Sequence, residues 1–201
     1  MIPSHILKHF ESNDPILFEM SSRVELKGYP TSTDYFFELC DAIISQQLSI
    51  KAAATIVGRF KNLFPNGVTP QGVIDTTEDV LRAQGLSFAK IKYVKDLASH
   101  VLDGRLDLAH LQTLPDKDVE RMLVDVKGIG PWTAQMFLLF TLKREDIFAP
   151  LDLGLRRGIT KVYGLDHEPT PKEMETLSAK WAPYRSYASR ILWKSLELPE
   201  V

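Results

Sequence analysis

Residues 123–152 read LVDVKGIGPWTAQMFLLFTLKREDIFAPLD, and this stretch decides the fold. Its first and middle parts are apolar segments of helical character, joined by the four residues GIGP at positions 128–131. Glycine permits positive φ and a close backbone approach, and proline is favoured in the first turn of a helix. The stretch therefore predicts a tight hairpin between two helices.

The remaining sequence also predicts helices and no strands, because no segment alternates apolar and polar residues with a period of two. We expect an all-α fold with a loop at residues 64–70. The predicted helices cover residues 6–10, 16–24, 35–45, 50–60, 77–83, 132–142, 153–162, 171–182 and 186–196, with two more after Ser87 and Pro115. Residues 132–142 are apolar on nearly every side, which predicts a buried central helix.

Composition excludes several classes of site. A single cysteine, Cys40, cannot form an internal disulfide or a four-cysteine metal or iron–sulfur site. The five histidines lack metal-ligand spacing, and the longest apolar run, residues 136–140, is too short to cross a bilayer. A net charge of −2 argues mildly against a nucleic-acid ligand, although binding needs a local basic face or well-placed amides and not a high overall charge.

The hairpin predicts an anion site. Backbone N–H groups at its second helix point outward, and phosphate is the usual ligand of such groups. We interpret it as a helix-hairpin-helix motif for non-specific DNA binding, with a plain helix–helix connection as the alternative. In such hairpins the turn carbonyls can hold Na⁺ or K⁺, and by position these belong to Val124, Val126 and Ile129.

Five segments together resemble the helix-hairpin-helix (HhH-GPD) DNA glycosylase superfamily, specifically its 3-methyladenine DNA glycosylase II branch. They are IISQQLSIKAA (43–53), GLSFAKIKYVKDLA (85–98), KGIGPWTAQMF (127–137), DIFAPLDLGLRRG (146–158) and WAPYRSYASRILW (181–193). The resemblance covers about residues 35–193. It looks like the short form, since the residues before Tyr35 are too few for the further N-terminal domain of some members.

The resemblance implies two helical lobes with a DNA-binding cleft between them. We expect residues 34–135 to form a central lobe with the hairpin, and residues 1–33 plus 136–201 to form the second lobe. Asp152 stands at the position of the family's catalytic aspartate. A carboxylate stabilises the positive charge that develops on the sugar when an N-glycosidic bond breaks. The alternative is that Asp152 only caps the helix that follows it, and one residue can do both.

The residue after the hairpin favours simple hydrolysis. Relatives that also cut the DNA strand carry a lysine two residues after the second turn glycine, where this chain has Trp132. The resemblance further implies an aromatic pocket for a base flipped out of the duplex, made by Trp132 and Trp193 with Met136 one turn beyond Trp132. Trp181 and Tyr184 are expected to be core residues. The positive side chains of Arg156, Arg157 and Lys161 either add charge near Asp152 or form a solvated helix face.

Two adjacent glutamines, Gln46 and Gln47, interrupt an apolar region and are poor core residues. We expect them at the DNA minor groove, with Gln47 filling the gap left by the flipped base; an exposed helix junction is the alternative. The further expected DNA contacts are Ser49, Lys51, Lys127, Gly128, Gly130 and Thr133.

The sequence thus predicts a monofunctional glycosylase for alkylated purines that acts in base excision repair. The alternatives are a bifunctional glycosylase/lyase for oxidised bases and a non-catalytic protein that binds damaged DNA. We expect double-stranded DNA with a damaged base as the partner, a monomer, no required cofactor and no membrane association. The expected location is the cytoplasm in a bacterium or the nucleus in a eukaryote.

Overall fold

The structure is a computed structural model that describes residues 2–29 and 34–199, and within these ranges every regular element is helical. The predicted all-α fold is confirmed for this part of the chain. The elements in order are α1 (Ser4–Asn13), α2 (Pro15–Arg23), α3 (Tyr35–Ser45), α4 (Ile50–Asn62), α5 (Pro70–Asp75), α6 (Glu78–Ala83), α7 (Phe88–Leu102), α8 (Asp116–Val124), α9 (Pro131–Met136), a π-helical turn (Phe137–Thr141), α10 (Leu153–Tyr163), α11 (Pro171–Ser178), a 3₁₀ turn (Ala179–Trp181) and α12 (Arg185–Ser195).

The chain divides into two compact units. Unit 1 comprises Met1–Pro30 and Lys143–Val201 and contains α1, α2 and α10–α12, whereas unit 2 comprises Thr31–Leu142 and contains α3–α9. The second boundary follows Leu142, whereas the sequence predicted it after residue 135. The difference arises because the π-helical turn continues α9, and the buried side chains of this turn belong to unit 2. The first expected boundary, at residues 33–34, falls at the edge of residues 30–33, which lie outside the described ranges.

A buried carboxylate organises unit 1. Asp14 is the N-cap of α2, where it accepts the Leu17 amide at 3.1 Å. Its second oxygen accepts the Tyr163 hydroxyl at 2.6 Å and the Trp181 indole N–H at 2.9 Å. Burial raises the pKa of Tyr163, and the neighbouring Asp14 raises it further. Three donors thus compensate a carboxylate that is 2% exposed, and they tie α2, α10 and the 3₁₀ turn together.

Helices α10 and α12 pack closely because α10 carries a glycine at their contact. A Cβ on Gly158 would lie 2.7 Å from the carbonyl oxygen of Leu192, nearer than such atoms approach in proteins. Trp181 is fully buried in the same unit, as expected, whereas Tyr184 is half-buried and lies edge-on to His5 and His9, with ring centroids 5.6 and 5.2 Å apart.

The central helix of unit 2 differs from the prediction. It runs as α-helix only from Pro131 to Met136 and then changes to the π-helical turn. Phe137, Leu138 and Leu139 are buried, and the Phe137 ring lies edge-on to Tyr35 with centroids 5.9 Å apart. Trp132 at the start of α9 is 46% exposed, so the predicted burial of residues 132–142 holds for Phe137–Leu139 and not for the first residue.

One helix was missed. Residues 70–75 form α5, although residues 64–70 had been assigned to a loop and no helix was predicted between them and residue 77. Thr69 caps α5 by accepting the Gly72 amide at 3.1 Å, and Pro70 occupies the first turn. The signal was present, because a capping residue followed by proline also starts α2 and α11.

In the described residues no helix is long and apolar enough to cross a membrane.

Candidate active site and nucleic-acid interface

The predicted site residues fall into two groups, one in each unit. Unit 1 holds Asp152 and Trp193. Unit 2 holds the hairpin, the two glutamines and the aromatic start of α9.

In unit 1, hydrogen bonds from α10 and α12 hold one carboxylate oxygen of Asp152 in place. It is the N-cap of α10, and its Oδ1 accepts the Leu155 amide at 2.6 Å. The indole N–H of Trp193, on α12, donates to the same oxygen at 2.9 Å. The residue is 9% exposed, while the leucines on either side, Leu151 and Leu153, are 62% and 60% exposed. A nearly buried carboxylate with a fixed orientation therefore lies between two apolar side chains at the surface.

The N-cap reading of Asp152 is correct, but it does not exclude catalysis. Asp14 has the same local pattern, an N-cap that also accepts a tryptophan N–H, yet its bonds divide between both oxygens. At Asp152 the capping bond and the bond from Trp193 share one oxygen, Oδ1. Capping thus accounts for the orientation of Asp152 and is compatible with a catalytic role for its carboxylate.

Trp193 contacts Asp152 directly, which the sequence did not predict. It was expected to form a wall of the base pocket, which stays a prediction, and the structure shows it as a hydrogen-bond donor. Gly154 makes room for this contact, because a Cβ there would lie 3.0 Å from Asp152 Oδ1 and 3.0 Å from the indole ring of Trp193. In the sequence, only the glycine two residues after Asp152, in the order Asp-Leu-Gly at positions 152–154, indicated that another side chain could approach Asp152 closely.

Replacing Trp193 with phenylalanine should therefore slow the chemical step more than it weakens DNA binding. Trp193→Phe keeps a ring and removes one hydrogen bond to a charged oxygen, which predicts about a tenfold lower single-turnover rate. Affinity for a duplex with an abasic-site analogue should change less. Trp181→Phe is the matched control, because it removes the equivalent bond to Asp14 and should lower the melting temperature without lowering the rate.

In unit 2, Gly128 is the residue that the hairpin requires. Its φ is +86°, and a Cβ would lie 2.3 Å from the Tyr93 ring, so both conformation and packing demand glycine. Gly130 differs, because its φ is −93° and a Cβ would meet no atom within 4 Å among the described residues. Of the two roles expected of these glycines, positive φ therefore applies to Gly128 and not to Gly130.

The hairpin leaves donors for an anion. Ile129 donates its amide to Val126 within the turn, and Ala134 donates to Gly130 as the first bond of α9. Among the described residues, the amides of Gly128, Gly130 and Thr133 donate to no protein acceptor. These are amides at a turn and a helix start, which is the expected arrangement for phosphate binding.

Lys127 already has an anionic partner. Its amide donates to Asp96 Oδ2 at 2.9 Å, and its ammonium lies 3.0 Å from Asp96 Oδ1. Burial alone would raise the pKa of Asp96, but these two contacts from Lys127 lower it below its ordinary value. Phosphate binding by the Lys127 side chain, which stays a prediction, would exchange one anion for another.

The two glutamines occupy different environments. The Gln46 side chain donates to the Gly128 carbonyl oxygen at 2.8 Å, so it supports the hairpin from within the protein. Gln47 is exposed and has φ +57°, a left-handed conformation that is uncommon for a residue with a side chain. Ser49 is exposed and caps α4 through the Ala52 amide at 3.3 Å, and Lys51 follows in the first turn of α4.

The remaining predicted residues are placed as follows. Trp132 is at the exposed start of α9, and Met136 is half-buried at its end. Lys161 donates to the carbonyls of Ser195 and Leu198, so it caps α12 and is not a free positive charge. Arg156 lies 3.7 Å from Glu168, and Arg157 is exposed.

The hairpin carbonyls are the proposed cation ligands, and Val126 also accepts the Ile129 amide. Elsewhere in residues 2–29 and 34–199, no group of three or more His, Cys, Asp or Glu could hold a metal ion.

Sequence reasoning missed three residues that shape this unit, namely Lys90, Tyr93 and Asp96, all on α7. They lie in the segment 85–98 that carried the resemblance, but nothing local shows that they contact residues 44–46 and the hairpin.

Comparison with known protein sequences supports the interpretation of this chain as a DNA repair protein with a helix-hairpin-helix motif. Residues 40–184 match the model of the HhH-GPD superfamily of base excision DNA repair proteins. The chain is 34% identical over 203 residues to the putative DNA-3-methyladenine glycosylase YfjP of Bacillus subtilis, covering 96% of this chain and 69% of that protein. It is 35% identical over 166 residues to DNA-3-methyladenine glycosylase 1 of Schizosaccharomyces pombe, covering 81% and 73%.

Solved structures agree as well. A DNA-3-methyladenine glycosidase from Bacillus halodurans is similar with a TM-score of 0.88 and 35% identity, covering 96% of this chain and 89% of that one. The S. pombe 3-methyladenine DNA glycosylase Mag1 in complex with abasic DNA has a TM-score of 0.82 and 30% identity, covering 98% and 99%. The chain therefore belongs to the HhH-GPD superfamily of base excision DNA repair proteins.

Proposed function

We propose that this protein is a monofunctional DNA glycosylase that hydrolyses the N-glycosidic bond of alkylated purines of the 3-methyladenine type. The observation that carries the proposal is Asp152, a carboxylate held by a cap and by Trp193 in a member of a base-excision repair family. The relatives named above as 3-methyladenine glycosylases support this choice of substrate class.

The proposed chemistry follows from the carboxylate. As the bond from C1′ to the purine nitrogen breaks, its electron pair leaves with the base and positive charge develops on the sugar. Asp152 stabilises that charge and orients a water molecule, whose oxygen bonds to C1′ while its proton is released. An alkylated purine that already carries positive charge leaves as a neutral base, so the reaction needs less help at the base than at the sugar.

The surroundings of Asp152 suit this role. Its Oδ1 is held in a fixed position by two donors, and the residue is nearly buried between two exposed leucines in the sequence. Low local polarity strengthens the interaction of a carboxylate with a developing cation. For binding of the base, Trp193 beside Asp152 is the proposed aromatic contact in unit 1, and the roles of Trp132 and Met136 are proposed from the resemblance.

Duplex DNA with a damaged base is the proposed partner. The amides of Gly128, Gly130 and Thr133 bind backbone phosphates, and Gln47 fills the space left by the flipped base. We further propose that the protein acts as a monomer in the cytoplasm of a bacterium or the nucleus of a eukaryote. A Na⁺ or K⁺ ion on the carbonyls of Val124, Val126 and Ile129 would steady the hairpin without entering the reaction.

Strand cleavage through a Schiff base is the competing chemistry, and it needs a neutral lysine amine at the sugar. The position where related lyases have that lysine is Trp132, and the ammonium of the nearby Lys127 is paired with Asp96. Monofunctional hydrolysis is therefore favoured.

The test incubates the protein with a duplex oligonucleotide containing alkylated purines. We expect release of the free methylated base and intact DNA strands until alkali cleaves the abasic sites. Borohydride in the reaction should trap no protein–DNA adduct. A trapped adduct would establish the glycosylase/lyase alternative, and binding to the duplex without base release would establish the non-catalytic one.

A further inference from the structure

Lys90 contacts the backbone just before the predicted plug residue. Its Nζ donates to the carbonyl oxygens of Ile44, at 2.7 Å, and Gln46, at 2.8 Å. Partial burial lowers the pKa of the Lys90 amine from its ordinary value. The ammonium thus serves two carbonyls at the C-terminal end of α3, where the helix itself supplies no donor.

This contact explains how α3 ends without a glycine. Helices commonly stop at a glycine in the left-handed conformation, which places backbone donors on the last carbonyls. Here Gln46 turns to an extended conformation with φ −52° and ψ 134°, and Gln47 takes the left-handed conformation with its side chain exposed. The ammonium of Lys90 replaces the donors that a glycine-ended helix would have provided.

Gln46 is held from two sides as a result. Its backbone carbonyl accepts from Lys90, and its side-chain amide donates to the carbonyl of Gly128 in the hairpin. Because Gln46 is held in this way, the backbone that leads into Gln47 is fixed in position. The segment that would enter the DNA gap is thereby tied to the turn that would bind the DNA backbone.

We propose that Lys90 is a positioning residue that presents Gln47 for insertion into the duplex, with Gln46 as the strut between this segment and the hairpin. This inference rests on the proposed function, because it takes Gln47 to fill the space left by a flipped base. Lys90 contributes only where such a space exists, which is in duplex DNA. It should have little effect on a damaged base in a single strand.

The chain contains a matched control on the same helix. Lys95 donates from Nζ to the carbonyls of Ile74, at 3.1 Å, and Thr76, at 2.8 Å. These are the penultimate residue and the C-cap of α5, the same two positions that Lys90 serves on α3. Lys95→Met therefore removes the same kind of contact from a helix end that has no part in the proposed plug.

The experiment compares Lys90→Met, Lys95→Met and Gln47→Ala with the wild type. Release of methylated purines is measured from a duplex and from the corresponding single strand, together with the melting temperature of each protein. We expect Lys90→Met and Gln47→Ala to lower the ratio of duplex to single-strand activity about tenfold. Lys95→Met should keep the wild-type ratio, even if its melting temperature falls as much as that of Lys90→Met.

A second measurement does not depend on catalysis. In a duplex with 2-aminopurine beside a tetrahydrofuran abasic-site analogue, insertion of a side chain into the gap changes the fluorescence of the 2-aminopurine. At saturating protein we expect the wild type and Lys95→Met to produce this change and Lys90→Met to produce much less of it. The measurement therefore tests Lys90 even if the wild-type protein released no base and the proposed function failed.

Two results would overturn the inference. An equal loss of activity on duplex and single strand in Lys90→Met, with a wild-type fluorescence change, would reduce Lys90 to a structural contact. A Gln47→Ala variant with wild-type ratio and fluorescence would show that Gln47 is not the inserted residue, so that Lys90 has nothing to present.

Discussion

Asp152→Asn should abolish base release while leaving the fold and DNA binding almost unchanged. Asparagine caps helices as well as aspartate does, and the capping bond and the bond from Trp193 both fall on one oxygen, which the amide retains. The change therefore removes the negative charge and keeps these two bonds. We expect roughly a 10³-fold lower single-turnover rate, the scale on which a transition-state charge partner contributes.

The matched control is Asp14→Asn. Asp14 is also an N-cap bonded to a tryptophan, but its bonds divide between the oxygens, and Oδ2 accepts from both Tyr163 and Trp181. One bonded oxygen must become an NH₂ group, which leaves buried donors unsatisfied at a cost of about 1–3 kcal/mol. The melting temperature should fall, and base release below it should persist. If Asp152→Asn released base at the wild-type rate, Asp152 would be a cap alone.

Gly128→Ala should weaken binding to DNA of any sequence by about tenfold or more, because it destroys the hairpin turn. The added Cβ would lie 2.3 Å from the Tyr93 ring, and alanine disfavours φ +86°. The turn must shift, which moves the amides of Gly128 and Gly130 and breaks the bond from Gln46. Binding to damaged and undamaged duplexes should be measured over a range of salt concentrations, since lost phosphate contacts also reduce the dependence on salt.

Two control variants separate the effect of backbone strain from the effect of a side chain at the hairpin. Gly104→Ala has the conformational strain alone, because Gly104 has φ +78° and no atom within 4 Å of its Cβ position among the described residues; it should bind DNA normally. Gly130→Ala fits the fold without strain, so weaker binding by that variant would place the DNA backbone beside Gly130. If Gly128→Ala lost affinity for one sequence context only, the hairpin would be reading bases and not phosphates.

Helices and their starts were largely readable from local sequence. The caps Asp14, Ser49, Ser87 and Asp152 all accept the backbone amide three residues later, as their residue types indicate. The short α5 was missed although Thr69-Pro70 carried the same signal, because a six-residue helix shows no helical periodicity in its apolar residues. The π-helical turn at Phe137–Thr141 has no local signal, since any all-apolar segment is also compatible with a regular helix.

The sequence by itself determined the all-helical fold, the hairpin at residues 128–131 and Asp152 as a helix cap. These depend on interactions within a few residues, such as a cap with its own helix or a glycine with its own φ. Tertiary structure decided that Trp193 donates to Asp152, that Tyr93 makes Gly128 indispensable while Gly130 is unconstrained, and that Lys90 holds Gln46. Each of those contacts joins residues more than 30 positions apart, and the geometry of their hydrogen bonds and steric contacts exists only once the helices have packed.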